Sequence, residues 1–345
     1  MISVGIVGTG AVATTRHIPA FMRLKDVKVA AVCDRNEELA KQAAKKFTIP
    51  EVYSYFDTML GEQNLDIVSI CTPPHTHADI TVKALEAGCH VLLEKPMALT
   101  IEDCDKMIKA AKKYNRKLCI IHNVLFHPPL MKAKELVAQG AIGQFTGMRI
   151  YLSDPRDEMI MRKDYWIHKL PGGLIGETGP HPTYLSLAFM DCIKSVDVFA
   201  KCILEHDWAK FDEFRIEFEG EKTMSSVIVS YSSNRYNASI DLIGTEGSLE
   251  LDLQSMLVIK HGGKPALSPI SVAKSSLNTS GQIISGVLSN AVNMRNMRLG
   301  HDKEIELFVE SIKDNSRPPV TGQEGREVIR VMGMVVESLY SKYGK

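Results

Sequence analysis

The chain has 345 residues, 45% of them hydrophobic, which is enough for two domains with substantial cores. Lys plus Arg and Asp plus Glu both total 41, so a net charge of zero gives no electrostatic reason to expect nucleic acid or an anionic membrane as partner. No apolar run approaches the ~20 residues of a membrane span, and the seven cysteines form no Cys-x-x-Cys pair, the pattern of small buried hydrophobes in a reducing compartment.

The first apolar run begins at Ile2, which leaves no room for a charged leader, so a cytoplasmic protein is expected. Apolar strands are expected over residues 3–7, 27–33, 67–72, 90–93 and 118–121. Amphipathic segments lie between them at 36–47, 56–61, 77–87 and 101–114. Asn36 and Thr100 are suited to cap helix N-termini, Thr100 with Asp103 three residues on, and Gly88 is suited to a left-handed helix end. Strands apolar on both faces and joined by helices predict an α/β domain with a doubly wound parallel sheet.

After His122 the pattern changes. One more helix is expected over 128–138, then strands over 145–152, 196–203, 214–218, 227–231, 238–243 and 248–253, the last two joined by a turn at Gly244-Thr245-Glu246-Gly247. Phe214, Ile216 and Phe218 alternate with Arg215, Glu217 and Glu219, the signature of a sheet covered on one face. A mostly antiparallel open sheet in an α+β domain is therefore expected. Residues 262–280 are rich in Gly, Pro and Ser and read as a loop. Two helices, 302–314 and 324–343, end the chain around Arg317-Pro318-Pro319. The expected division is 1–122 and 123–345, with the C-terminal helices free to pack back on the first domain. The uncovered sheet face is expected to serve a homodimer or homotetramer.

The first strand runs into Gly8-x-Gly10-x-x-Ala13, a dinucleotide fingerprint with alanine at its third position. Gly8 permits the tight turn, Gly10 lets a pyrophosphate approach the backbone, and small Ala13 allows close helix–strand packing. Gly8, Thr9, Gly10, Ala11 and Val12 are thus expected against the cofactor. Asp34, at the end of the second strand, is placed to accept hydrogen bonds from the adenosine ribose and to repel a 2′-phosphate. NAD is favoured over NADP, although Arg35 can also stack on adenine or hold a phosphate. Thr72 and Pro73 end the next long strand, at the edge where open α/β sheets bind ligands. His77 opens the following helix, either as a cofactor contact or as part of a stiff turn. Glu94-Lys95-Pro96 ends a further apolar strand. A lysine there can polarise a hydroxyl or carbonyl, and a cis Lys95–Pro96 bond would aim its ammonium inward. The eleven histidines show no zinc-ligand spacing, so no metal is expected.

These residues, with Asn123, Phe126, Pro128, Gly172-Gly173 and Glu177-Thr178-Gly179-Pro180-His181, resemble the glucose–fructose oxidoreductase, inositol dehydrogenase and rhizopine-catabolism (GFO/IDH/MocA) family. The match runs over about half the chain in the family's order. The resemblance implies a Rossmann domain followed by a substrate-binding α+β domain. It implies that Lys95 contacts nicotinamide ribose and substrate, that Glu94 lies on the nicotinamide side, and that Asn123 is close to cofactor or substrate. Glu177 and His181 stand four apart and would share a helix face, with His181 accepting a proton and Glu177 orienting it. The chain departs from the family in having Glu177 where Asp is usual and in the prolines Pro180 and Pro182. Arg156, Arg162, Tyr165, Trp166, His168 and Lys169 are expected to add to substrate recognition by Lys95, Asn123 and His181. Residues 290–298 would line the same cleft or a subunit contact.

The implied activity is NAD(P)-dependent hydride transfer between nicotinamide and a secondary alcohol of a sugar, cyclitol or sugar derivative. Two rivals keep the fold: a glycosidase that uses NAD in a transient redox cycle, and a non-catalytic nucleotide-sensing regulator.

Overall fold

The computed structural model describes residues 1–154, 162–204, 208–262, 268–293 and 300–345. The chain forms two compact units, one of Met1–Phe126 with Arg298–Arg330 and one of His127–Met297 with Val331–Lys345.

In the first unit β1 (Ile2–Val7) leads through a π-helical turn, Ala13–His17, into α1 (Ile18–Met22). Then follow β2 (Val27–Cys33), α2 (Glu37–Phe47), β3 (Glu51–Tyr53), α3 (Phe56–Glu62), β4 (Ile67–Ile70), α4 (His77–Glu86), β5 (His90–Leu93), α5 (Ile101–Lys113) and β6 (Leu118–Ile120). The strand order is β3-β2-β1-β4-β5-β6 and every pair is parallel. All four residues of β4 are buried, as a central strand covered on both faces requires. Asn36 Oδ1 accepts the N–H groups of Glu38 and Leu39, and Thr100 Oγ1 accepts that of Asp103, so both expected caps form. Gly88 has φ +87°, the left-handed conformation expected of it. β3 escaped the sequence reading because three residues with one buried side chain carry no periodicity.

The second unit begins with α6 (Pro128–Ala138) and β7 (Phe145–Ser153), then α7 (Leu174–Thr178) and α8 (Pro180–Leu187). Six strands follow: β8 (Ser195–Lys201), β9 (Glu213–Glu219), β10 (Met224–Ser230), β11 (Asn237–Gly244), β12 (Gly247–Asp252) and β13 (Leu257–Gly262). The sheet order is β13-β12-β11-β7-β10-β9-β8, antiparallel except between β7 and β10. Phe214, Ile216 and Phe218 are buried, and Val227 and Ile216 stand opposite each other in the ladder. The opposite face carries polar pairs such as Arg149 Nε donating to Asp241 Oδ2 at 2.8 Å.

The expected loop over 262–280 is corrected in its second half. From Pro269 to Asn293 the chain is one helix of 25 residues, α9. Proline is at home in a first helical turn, and the Gly and Ser content that read as loop is overridden by tertiary anchoring. Gln282 accepts the Lys260 N–H at 2.8 Å and donates to the Lys260 carbonyl at 3.0 Å, which satisfies a free edge of β13.

The last helices are α10 (His301–Lys313) and α11 (Gly322–Tyr343). Ile305, Phe308 and Val309 of α10 join the core of the parallel-sheet unit, and α11 is divided between the two units.

Candidate active site

The glycine turn, Asp34, Thr72-Pro73, Glu94-Lys95 and Asn123 all lie just beyond the C-terminal ends of the parallel strands. The chain reverses direction across the sheet between β1 and β4, the position at which such sheets bind ligands. Gly8 has φ +85°, and a Cβ on it would come within 2.8 Å of the Cys71 carbonyl. Only glycine satisfies both demands. A Cβ on Gly10, by contrast, would meet nothing within 4 Å. That open space beside the turn is where a pyrophosphate approaches the backbone, so the residues present fit a dinucleotide.

Asp34 holds this turn. Its Oδ2 accepts the Thr9 N–H at 2.8 Å and the Thr9 hydroxyl at 3.1 Å, and its Oδ1 accepts the Asn36 N–H at 2.9 Å. Two carboxylate oxygens have lone pairs for further donors. Arg35 beside it is exposed. Thr72 accepts a hydrogen bond from the Thr76 hydroxyl at 2.7 Å, and that hydroxyl also reaches the Pro73 carbonyl at 2.9 Å.

Glu94 is only 6% exposed and is held on three sides. Its Oε1 meets His17 Nε2 at 2.8 Å and His301 Nε2 at 3.2 Å, while its Oε2 accepts the Lys95 N–H at 3.1 Å. Burial alone would raise its pKa, but hydrogen bonds and charge from the two histidines hold it well below the usual carboxylate range. Burial likewise disfavours a charged His17, but Cys71 and Glu94 override this and push it up to about 10. His17 Nδ1 is in turn 2.8 Å from Ser69 Oγ. Both oxygens of Glu94 are thus engaged within the protein. Among the described residues, His17, Glu94 and His301 also bring three metal-ligating atoms within 4.8 Å of one another. Glu304, one turn along α10 from His301, accepts the His122 N–H on both oxygens at 3.1 Å. Burial raises its carboxyl well above the ordinary value.

His77 is buried with both ring nitrogens against backbone carbonyls, Nε2 to Thr72 at 2.7 Å and Nδ1 to Pro96 at 3.0 Å. It pins the loop after β4 to the loop after β5, the stiff-turn alternative of the sequence reading. Burial lowers its pKa despite these carbonyls. Lys95, in the loop so pinned, is half-buried and its bond to Pro96 is cis. Asn123 is half-buried and opens a 3₁₀ turn, Asn123–Phe126, after β6.

In the second unit Gly172 (φ +82°) and Gly173 (φ +62°) turn the chain into α7. The Gly172 N–H is fixed by the Tyr340 hydroxyl at 2.9 Å. Glu177 lies on α7 and His181 on α8. Gly179 between them keeps helical angles, and the helix is interrupted because Pro180 and Pro182 lack N–H donors. His181 Nδ1 lies 2.6 Å from the hydroxyl of buried Tyr184, three residues on, with the rings edge to face. Trp166 and Lys169 lie in a 3₁₀ turn seated by buried Ile167, and the Arg162 guanidinium stands 6.0 Å over the Tyr165 ring. Arg156 and residues 294–298 lie outside the described residues.

Residues 2–122 match the family model described as an oxidoreductase family with an NAD-binding Rossmann fold, and residues 130–250 match the GFO/IDH/MocA C-terminal domain. A dTDP-3,4-didehydro-2,6-dideoxy-alpha-D-glucose 3-reductase of Streptomyces violaceoruber is 30% identical over 72% of this chain and 72% of its own length. The chain belongs to the GFO/IDH/MocA oxidoreductase family.

Other relatives of this GFO/IDH/MocA oxidoreductase include the D-glucoside 3-dehydrogenase of Escherichia coli, 34% identical over 41% of this chain and 40% of that one. The fold matches the WlbA dehydrogenase of Bordetella pertussis, solved with NADH and UDP-GlcNAcA, with TM-score 0.78 at 20% identity over 99% of this chain and 96% of that chain. The protein is accordingly an NAD-dependent oxidoreductase. Four of its residues escaped the sequence reading: His17, His301, Glu304 and Tyr184. Tyr184 could have been found, since it stands one turn beyond His181. The others could not, because 17, 94 and 301 meet only through the tertiary fold.

Proposed function

We propose that this oxidoreductase transfers hydride between NAD and a secondary alcohol of a sugar, cyclitol or sugar derivative, and that it works as a cytoplasmic homodimer or homotetramer. The observation that carries the reading is the gathering of the glycine turn, Asp34 and Lys95 beyond the C-terminal ends of one parallel sheet, in a chain of this family. Sugar-type substrates are supported by the names of its relatives, which act on a deoxysugar nucleotide and a glucoside.

NAD, when bound, supplies the hydride acceptor. Gly8 and Gly10 admit its pyrophosphate, and Asp34 takes the ribose hydroxyls. His181 accepts the hydroxyl proton at Nε2. The tautomer this needs has Nδ1–H donating to the Tyr184 hydroxyl, so Tyr184 sets both the ring's direction and its proton. The Lys95 ammonium stabilises the negative charge that develops on the substrate oxygen. Glu177 and Asn123 orient the substrate, with Arg162, Trp166 and Lys169 contributing to its selection. His77 and Glu94 act at one remove, by fixing the loop that carries Lys95.

A screen of sugars, cyclitols and nucleotide sugars with NAD, read as NADH absorbance, tests this. Net NADH with one substrate class supports it. Release of aglycone from aryl glycosides without net NADH would point to the transient-redox glycosidase instead. Tight NAD binding with no turnover across the screen would leave a nucleotide sensor.

A further inference from the structure

Helix α9 (Pro269–Asn293) is the wrong way round for a surface helix. The residues that meet its own unit are polar or small: Gln282, Gly286 and Asn290. Gln282 is bonded to Lys260 of β13, Asn290 donates to the Ser255 and Met256 carbonyls, and a Cβ on Gly286 would stand 2.6 Å from Leu257. Its large apolar side chains face outward: Ile270 is 81% exposed, Leu277 74%, Ile284 60% and Leu288 61%. Soluble helices bury that stripe and expose the other.

The outward residues are spaced for a helix partner. Ile270, Leu277 and Ile284 recur every seven residues, and Ala273, Ser280 and Val287 follow each three later. That is the a/d spacing of a two-helix seam. Gly281 is the middle residue of the helix, twelve from either end, and its Cβ position is open. A glycine in a helix interior is unfavourable for the helix itself. Beside Ser280 it lets a second backbone come close at the centre of the seam.

The geometry points to a second copy of this chain as the occupant, with the two α9 helices packed antiparallel across a two-fold axis at Ser280-Gly281. Leu277 of each copy then meets Ile284 of the other, and Ala273 meets Leu288. Like patches facing each other are what a two-fold interface demands. The helix is about 37 Å long. A specific interface needs about 1,200 Å² in total, roughly 600 Å² on each copy. Lys274 is the single charged residue of α9, so no like-charge repulsion opposes the pairing. The same lack of basic residues argues against a membrane surface, for which such helices carry a Lys- and Arg-rich polar face. This inference rests on the homo-oligomer reading above and adds α9 to the uncovered sheet face as a surface for it.

Sedimentation velocity on the full chain tests it. The unmodified chain is expected to sediment at twice its 38.3 kDa mass or a higher even multiple. The double variant Leu277→Glu/Ile284→Glu should halve that mass while its far-ultraviolet circular dichroism is kept. An oligomer whose mass the double variant leaves unchanged overturns the α9 interface and leaves the homo-oligomer standing. A monomeric unmodified chain overturns both, whether or not it sediments with phosphatidylcholine vesicles. Should the double variant fail to fold, Gly281→Cys provides the second test. Under mild oxidation it should form a covalent dimer in most of the sample, against the unmodified chain, with its exposed Cys202, as control. No cross-link beyond that control overturns the proposal.

Discussion

His17 Nε2 lies 2.8 Å from Glu94 Oε1, and both side chains are buried, Glu94 next in sequence to Lys95. An aromatic base from the first helical turn and a carboxylate from the end of β5 thus form a charged pair in the parallel-sheet unit. Its energetics give the first prediction. Glu94 has a depressed pKa in the folded chain, so its stabilisation is present above the unfolded value near 4.5 and is lost as pH falls through the folded one. His17 is raised from 6.5 to about 10, so its contribution is complete below 6.5 and is lost as pH rises through 10. Urea unfolding at a series of pH values should therefore show greatest benefit from the pair between these limits. His17→Gln should remove the loss between pH 6.5 and 10, and Glu94→Gln the loss on the acid side. Each removes the buried partner's nearest opposite charge, although Glu94 keeps His301, and near neutrality should reduce stability by up to about 3–5 kcal/mol. A His17→Gln protein with the same alkaline slope as the unmodified chain would show that the pair is uncharged.

His181→Ala should lower turnover by about 10²–10⁴ while NAD still binds, the scale of a lost general base. Tyr184→Phe should lower it by roughly 10-fold, since the ring stays in place and only its Nδ1 partner goes. The Tyr184→Phe enzyme should also show a displaced pH–rate profile. Near-normal turnover in His181→Ala would remove this histidine from the mechanism.

Lys95→Ala should lose turnover far more than cofactor affinity. Lys95→Arg should not restore full activity, because the planar guanidinium cannot take the place of a compact ammonium. Isothermal titration with NAD beside steady-state rates separates the two effects. Lost NAD binding with normal turnover per bound cofactor would refute a direct part for Lys95.

Asp34→Ser should weaken NAD by roughly 10- to 100-fold, the equivalent of about 1.5–3 kcal/mol for a charged hydrogen bond. The glycine turn contributes to this loss, since Thr9 is held by the same carboxylate. NADP should bind better than before, because repulsion is gone and Arg35 can pair with its 2′-phosphate. Fluorescence titration with both cofactors reads the ratio. An unmodified chain that prefers NADP would show that Arg35 governs this pocket.

Much of this protein was determined locally. The strand-glycine-helix start, the caps at Asn36 and Thr100 and the alternation of Phe214, Ile216 and Phe218 each depend on neighbours within a few residues. Periodicity and backbone chemistry therefore expose them in the sequence. The Gly172-Gly173 turn into α7, by contrast, was legible through the family resemblance alone. Where local signals and packing disagreed, packing decided. Residues 269–280 read as loop by composition, yet Gln282 and Asn290 anchor them as a helix against β13. Only the tertiary structure could bring His17 and His301 onto Glu94, or place both oxygens of Glu304 on the His122 N–H. Those contacts join residues as much as 207 positions apart, from Glu94 to His301. No pattern along the chain records them, because burial and charge compensation are properties of the folded volume and not of spacing.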